Sequence, residues 1–339
     1  MKKNALLILA FLFVLSPLLS QDELIVNTYN RTSTSLNGSW QYIVDPYENG
    51  YYNYRYEAFD QQDSPSVNAF FRNAKPDNPS DLIEYDFDAT DFLLVPGDWN
   101  SQKSELLYYE GTVWYKKSFD YRKEDTNNRV FVHFGAANYK AEVYLNGQKL
   151  GLHVGGFTPF NFEITDIVKE KDNFLVVKVD NKRLKEGVPT LNTDWWNYGG
   201  LTRDVKLIET PPLFIQDYFI QLDPSDNRII QGYVLLNGQD KSQEKIRLHI
   251  PGLNIDQAIK TNDTGYVTFQ LLTMNIQYWS TENPYLYDVV LETKDDQVVD
   301  QIGFRTIRTS GSQILLNDKP IYLRGISIHE ERPLQRGRG

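Results

Sequence analysis

Residues able to do chemistry concentrate in two stretches of this chain. The first, Thr193–Val205 (TDWWNYGGLTRDV), sets two tryptophans, a tyrosine, a glycine pair, two aspartates and an arginine within thirteen residues. Ionised carboxylates accept hydrogen bonds from hydroxyls, and indole and phenol rings offer apolar faces with a polar edge. Asp194 has two readings there: it accepts donors from a ligand in a pocket, or it closes an Asx-turn ahead of Trp195. Trp195, Trp196 and Tyr198 read as packing between elements more than as a ligand platform, because large aromatics are mostly buried. Arg203 and Asp204 read as structural, the arginine satisfying backbone carbonyls or an acid. The second stretch, Ile321–Glu331 (IYLRGISIHEE), ends in His329, Glu330 and Glu331.

Composition narrows the ligand class. The 339 residues include 45 Asp+Glu against 35 Lys+Arg, a formal net charge of −10 with no basic run, which argues against a nucleic-acid partner. Aromatics make up 14% of the chain, with 22 tyrosines and 6 tryptophans. Rings stack on the C–H faces of sugars while hydroxyls bond at the rim, so a carbohydrate is the expected partner. Homo-oligomerisation is left open by composition. His133, His153 and His249 lack the spacing of a metal centre, and no metal or other cofactor is expected from the protein side.

Residues 1–20 carry Lys2 and Lys3, then the apolar run Ala5–Leu15, then Ser16, Pro17 and Ser20. That order matches a secretory signal peptide cleaved after Ser20, and the run is far shorter than the roughly 20 residues needed to span a bilayer. The expected location is periplasmic or secreted. There is no cysteine, which excludes disulfides and a lipid anchor on cysteine, so no membrane anchor is expected.

The elements that must position the two stretches read as short strands. Asn37–Asp45, Gly111–Phe119, Arg129–Phe134, Ala141–Leu145, Phe162–Ile167 and Asn173–Val179 alternate or run apolar between Gly, Pro and Asn turns. Arg129–Phe134 and Ala141–Leu145 read as neighbouring antiparallel strands, Asn146-Gly147 as a hairpin turn, and Asn173–Val179 as a central strand. No long 3.6-residue amphipathic pattern occurs before residue 209, so residues 21–209 imply a jelly-roll sandwich. Residues 47–98 interrupt it as a long excursion, rich in tyrosine, that packs on its own aromatics or else forms a wall of a binding cleft.

Thr210-Pro211-Pro212 marks a boundary. Phe214–Leu222, Arg228–Leu236, Lys245–Ile250, Gly265–Leu272, Leu286–Glu292 and Gln297–Phe304 then follow at the intervals of an immunoglobulin-like β-sandwich over residues 210–308. From Ile314 a hairpin around Asn317-Asp318 leads into a strand over Arg324–Ile328 that ends at His329. A strand ending in ionisable residues suits the start of a parallel (β/α)₈ barrel, here residues 309–339. The overall class is mostly β.

The segments GTVWYKKSF (111–119), FGAANYKAEVYLNGQKLG (134–151), GGFTPFNFEIT (155–165), DWWNYGGLTRDV (194–205), ENPYLYDV (282–289), GFRTI (303–307) and IYLRGISIHEE (321–331) resemble glycoside hydrolase family 2 in that family's order. The resemblance implies a sugar-binding jelly roll, an immunoglobulin-like sandwich and a catalytic (β/α)₈ barrel. It implies an exported retaining β-glycosidase of the β-galactosidase or β-glucuronidase type. The excursion between Val44 and Pro96 is longer than in the better-known members. Asp194 matches the family aspartate that reaches toward the substrate pocket, and His329 matches the histidine after the first barrel strand. Some members use magnesium or sodium.

A retaining mechanism needs two carboxyl groups about 5–5.5 Å apart. Glu330 and Glu331 are adjacent and would point to opposite faces of a strand, so they cannot flank one glycosidic bond. The catalytic glutamates are expected further along the barrel, beyond residue 339, and a chain without them is expected to be inactive alone. A non-catalytic carbohydrate-binding sandwich is the alternative of a different class.

Overall fold

The alternating stretches become strands because each can turn one row of side chains into a shared core. On β2 (Gly38–Val44) and β4 (Thr112–Phe119) the inward rows are Trp40 and then Val113 and Tyr115, all buried without residual exposure. The computed structural model describes residues 24–75, 78, 80, 85–188, 190–193 and 196–327. Asp194 and His329, the two expected ligand contacts, lie outside the described residues, as does the expected signal peptide.

The first sandwich has two antiparallel sheets. One runs β3 (Phe92–Val95), β2, β4, β9 (Asn173–Asp180), β6 (Lys140–Leu145), β7 (Gln148–Val154). The other runs β1 (Ser33–Ser35), β10 (Val205–Thr210), β5 (Arg129–Phe134), β8 (Phe160–Glu163). Between them lies a core that includes Trp40, Tyr115, Phe134, Phe160, Val177 and Leu207. The Trp40 indole N–H donates to Leu36 O at 2.8 Å, so the largest core ring is buried with its polar atom satisfied. Asn173–Asp180 is central, flanked by β4 and β6.

Three local expectations are corrected. Arg129–Phe134 and Lys140–Leu145 are consecutive but lie in different sheets, because residues 135–139 carry the chain from one face of the sandwich to the other. Alternation reports a buried face, not which sheet the strand joins. The expected strand over Phe162–Ile167 is shifted to Phe160–Glu163, and Ile167 N–H instead bonds Ile164 O in a turn. Phe92–Val95, assigned to the excursion, is an edge strand pairing with β2; four residues ahead of a proline are too few to show a period.

The second sandwich packs β11 (Phe214–Leu222), β12 (Ile229–Asn237) and β15 (Tyr266–Leu272) against β14 (Ile255–Lys260), β13 (Lys245–Ile250), β16 (Tyr287–Glu292) and β17 (Gln297–Ile302). Ile215, Val234, Leu248, Phe269 and Phe304 are among its core residues. The architecture is therefore mostly β, a jelly-roll sandwich followed by an immunoglobulin-like one. Arg31 joins the two. Its guanidinium meets both oxygens of Asp296 at 2.9 and 3.0 Å and donates to Ile215 O at 2.6 Å, with both charged side chains nearly buried.

A three-stranded meander follows, β18 (Ile307–Ser310), β19 (Gln313–Leu316) and β20 (Lys319–Ile321), turning at Asn317 and Asp318 with φ of 49° and 66°. The strand expected over Arg324–Ile328 is not formed at the described residues 324–327, because no neighbouring strand pairs with them there. Tyr322, Leu323 and Ile326 are exposed beside it. Among the described residues no helix is long and apolar enough to cross a membrane.

Candidate functional site

The loop that carries Asp194 leaves β9 and returns into β10, and its described residues are held by asparagine side chains and two glycines. The side chain of Asn181 donates to Asn197 O at 2.9 Å while that of Asn197 donates to Asn181 O at 2.5 Å, closing a reciprocal amide pair. Asn138 adds donors to Asn197 Oδ1 at 3.1 Å and to Tyr198 O at 2.5 Å. Gly199 N–H donates to Asn100 Oδ1 at 2.9 Å, and Trp99 N–H donates to Gly199 O at 3.0 Å. Asn100, Asn138, Asn181 and Asn197 are all buried, so each amide replaces water that the backbone groups have lost.

Both glycines are dictated by close approach. A Cβ on Gly199 would lie 2.1 Å from Trp99 Cζ2. Gly200 sits at φ +136°, and a Cβ there would meet Tyr115 Oη at 2.8 Å and Gly97 O at 2.9 Å. Upstream, Arg183 pairs with Glu110 at 2.9 Å and donates to Thr193 O at 3.1 Å, which fixes the residue next to Asp194.

The aromatic residues divide. Tyr198 is buried, as packing requires, whereas Trp196 is half-buried and meets the exposed ring of Tyr108 at 5.4 Å between centroids. Tyr108, from the loop ahead of β4, thus packs its ring against Trp196 of the loop that carries Asp194. Arg203 is exposed and donates to Phe157 O at 3.1 Å, and Asp204 accepts from the Asn37 amide at 2.9 Å, both structural contacts.

The described carboxylates nearby are engaged. Glu110 holds Arg183, Asp98 caps the helix turn at Ser101, and Asp180 accepts Lys182 N–H. Among the described residues the arrangement fixes the loop and leaves the Tyr108 ring exposed beside it. The four asparagines were missed from the sequence, since single Asn residues as far apart as Asn138 and Asn197 carry no motif until the fold brings them together.

The charged residues form a separate network on the outer face of the six-stranded sheet. Glu142, buried, meets Lys149 at 2.9 Å and Lys178 at 3.4 Å, while Lys178 meets Glu48 at 2.9 Å and Lys149 meets Asp60 at 2.5 Å. Burial alone would raise the Glu142 pKa, but Lys178 and Lys149 override it and hold the carboxyl at about 2. Among the described residues no group of three or more His, Cys, Asp and Glu could hold a metal ion.

This loop and these two sandwiches define a class. The model of the sugar-binding domain of glycosyl hydrolases family 2 matches residues 34–211, and a second family 2 model matches residues 213–305. The chain belongs to glycoside hydrolase family 2. It is 30% identical over 276 residues to a β-glucuronidase of Paenibacillus borealis, covering 73% of this chain and 45% of that protein. It is 27% identical over 280 residues to a β-galactosidase of Thermoanaerobacter pseudethanolicus, covering 76% and 38%. Its fold matches the structure of Bifidobacterium dentium β-glucuronidase complexed with coumarin-3-O-glucuronide at a TM-score of 0.73 and 25% identity, over 91% of this chain and 54% of that one. The chain spans about half or less of the length of these relatives.

Proposed function

We propose that this chain is part of an exported, retaining β-glycosidase that removes terminal β-linked sugars, of the β-glucuronidase or β-galactosidase type. The carrying observation is that two family 2 domains occupy residues 34–305 in order, in a fold that superposes on a β-glucuronidase. In this reading Asp194, on the asparagine-braced loop, accepts hydrogen bonds from sugar hydroxyls, and His329 donates to the same sugar. The two carboxyl groups of the retaining mechanism belong to the barrel, and no residue of this chain is assigned to them. The apolar run behind Lys2 and Lys3 supports export to the periplasm or beyond.

The test compares the 339-residue chain with a protein extended through whatever open frame follows codon 339, on nitrophenyl β-glucuronide and β-galactoside. The extended protein is expected to hydrolyse one of them and the 339-residue chain neither. An extended protein carrying a complete barrel that releases nitrophenol from no β-glycoside would overturn the reading.

A further inference from the structure

The excursion between β2 and β3 folds as a layer over the outer face of the six-stranded sheet. Asp45 starts it, accepting from Asn49 and Gly50 N–H at 2.9 Å each and from the buried Trp114 indole at 3.0 Å. Phe70 then lies against Gly50, where a Cβ would sit 2.3 Å from the ring, and meets Trp114 edge to face with ring centroids 5.6 Å apart. An insertion that merely covered the sheet would fill its own interior at the density of a core. This one instead leaves a cavity of about 480 Å³, open to solvent on one side, within the roughly 300–1,000 Å³ of ligand pockets.

We propose that this cavity is a second carbohydrate site, separate from the Asp194 loop, that binds a neutral glycan. Its floor is apolar, made by the buried rings of Phe59, Phe70 and Phe87. Its rim is Tyr54, 85% exposed, with the amides of Asn49, Gln62 and Asn68. Asn73 adds a further amide to the lining.

Every described lining residue is uncharged. Of the ionised groups of the same layer, Asp60 and Glu48 join the network with Lys149, Glu142 and Lys178, and Lys75 pairs with Asp86 and Asp88. A uronate or phosphate finds no counter-charge among the described lining residues, Arg55 being engaged over the Tyr54 ring at 5.2 Å, whereas a neutral sugar offers C–H faces to the buried rings and hydroxyls to the amides.

Calorimetric titration of the 339-residue chain with cellobiose, xylobiose and β-1,4-galactobiose, with glucuronate as the anionic probe, tests the site. At least one neutral disaccharide is expected to bind with millimolar or tighter affinity, and glucuronate is not. Tyr54→Ala, at an exposed position that leaves the fold intact, is expected to weaken binding about tenfold, and Val67→Asp at the exposed rim to abolish it. The site is overturned if no neutral disaccharide binds, or if binding is unchanged in both variants. Hydrolysis of nitrophenyl substrates by the extended protein is expected to be unchanged in Tyr54→Ala, so failure of this site and failure of the glycosidase reading are separable.

Discussion

Asn138 and Gly200 exchange two backbone hydrogen bonds, Asn138 N–H to Gly200 O at 2.8 Å and Gly200 N–H to Asn138 O at 3.1 Å. This bridge ties the crossover between the two jelly-roll sheets to the end of the loop that carries Asp194. The loop's position is thus set by its own Asn197, Gly199 and Gly200 acting together with the sandwich they pack against.

Gly199→Ala is expected to break that setting. The new methyl would lie 2.1 Å from Trp99 Cζ2 and 2.6 Å from Asn181 Nδ2, and overpacking of this kind costs about 1–3 kcal/mol. Urea denaturation should show a lower midpoint with an unchanged slope.

The Arg31–Asp296 pair links the two sandwiches through nearly buried charges. Arg31→Ala leaves Asp296 buried without its partner and is expected to cost about 3–5 kcal/mol. Scanning calorimetry is expected to resolve the two sandwiches as separate transitions in the variant and a single coupled transition in the parent chain.

Acid stability should depend on Glu142. Its folded pKa of about 2 lies below the ordinary value of 4.5, so its stabilisation is present above pH 4.5 and is lost as pH falls toward 2. Glu142→Gln should flatten that part of the profile. At neutral pH it should cost less than the roughly 3–5 kcal/mol of an orphaned buried charge, because Lys149 keeps Asp60 and Lys178 keeps Glu48. Denaturant melts across that pH range check both outcomes.

His133 acts in a higher window. Burial first, then the neighbouring Lys206, lowers its pKa from 6.5 to about 4, so the native state prefers the neutral ring. That contribution is complete above pH 6.5 and is lost as pH falls to about 4. His133→Gln should remove this segment of the stability profile.

Asp194→Ala in the extended, active protein should lower kcat/KM by roughly ten- to a hundredfold. This corresponds to losing about 1.5–3 kcal/mol of charge-assisted hydrogen bonds to sugar hydroxyls. Steady-state kinetics with the nitrophenyl substrate checks it, and an unchanged kcat/KM would remove Asp194 from the site.

Much of the architecture was legible from local pattern. Arg129–Phe134, Phe214–Leu222 and Lys245–Ile250 form strands with the bounds that alternation implies, and the Asn146-Gly147 and Asn317-Asp318 turns lie where hairpins needed them. Short or edge strands such as Ser33–Ser35 and Phe92–Val95 were not legible. A three- or four-residue strand exists only because a partner supplies hydrogen bonds.

The sequence by itself determined the strand content, the two sandwiches and the family, since alternation, turn residues and ordered motifs are all local properties. Only the tertiary structure decided three things. It put Arg129–Phe134 and Lys140–Leu145 in opposite sheets, brought Asn100, Asn138, Asn181 and Asn197 together around the Asp194 loop, and left a cavity in the excursion over Trp114. Each depends on contacts between residues far apart in the chain, where burial and hydrogen bonding act through space and leave no period to read.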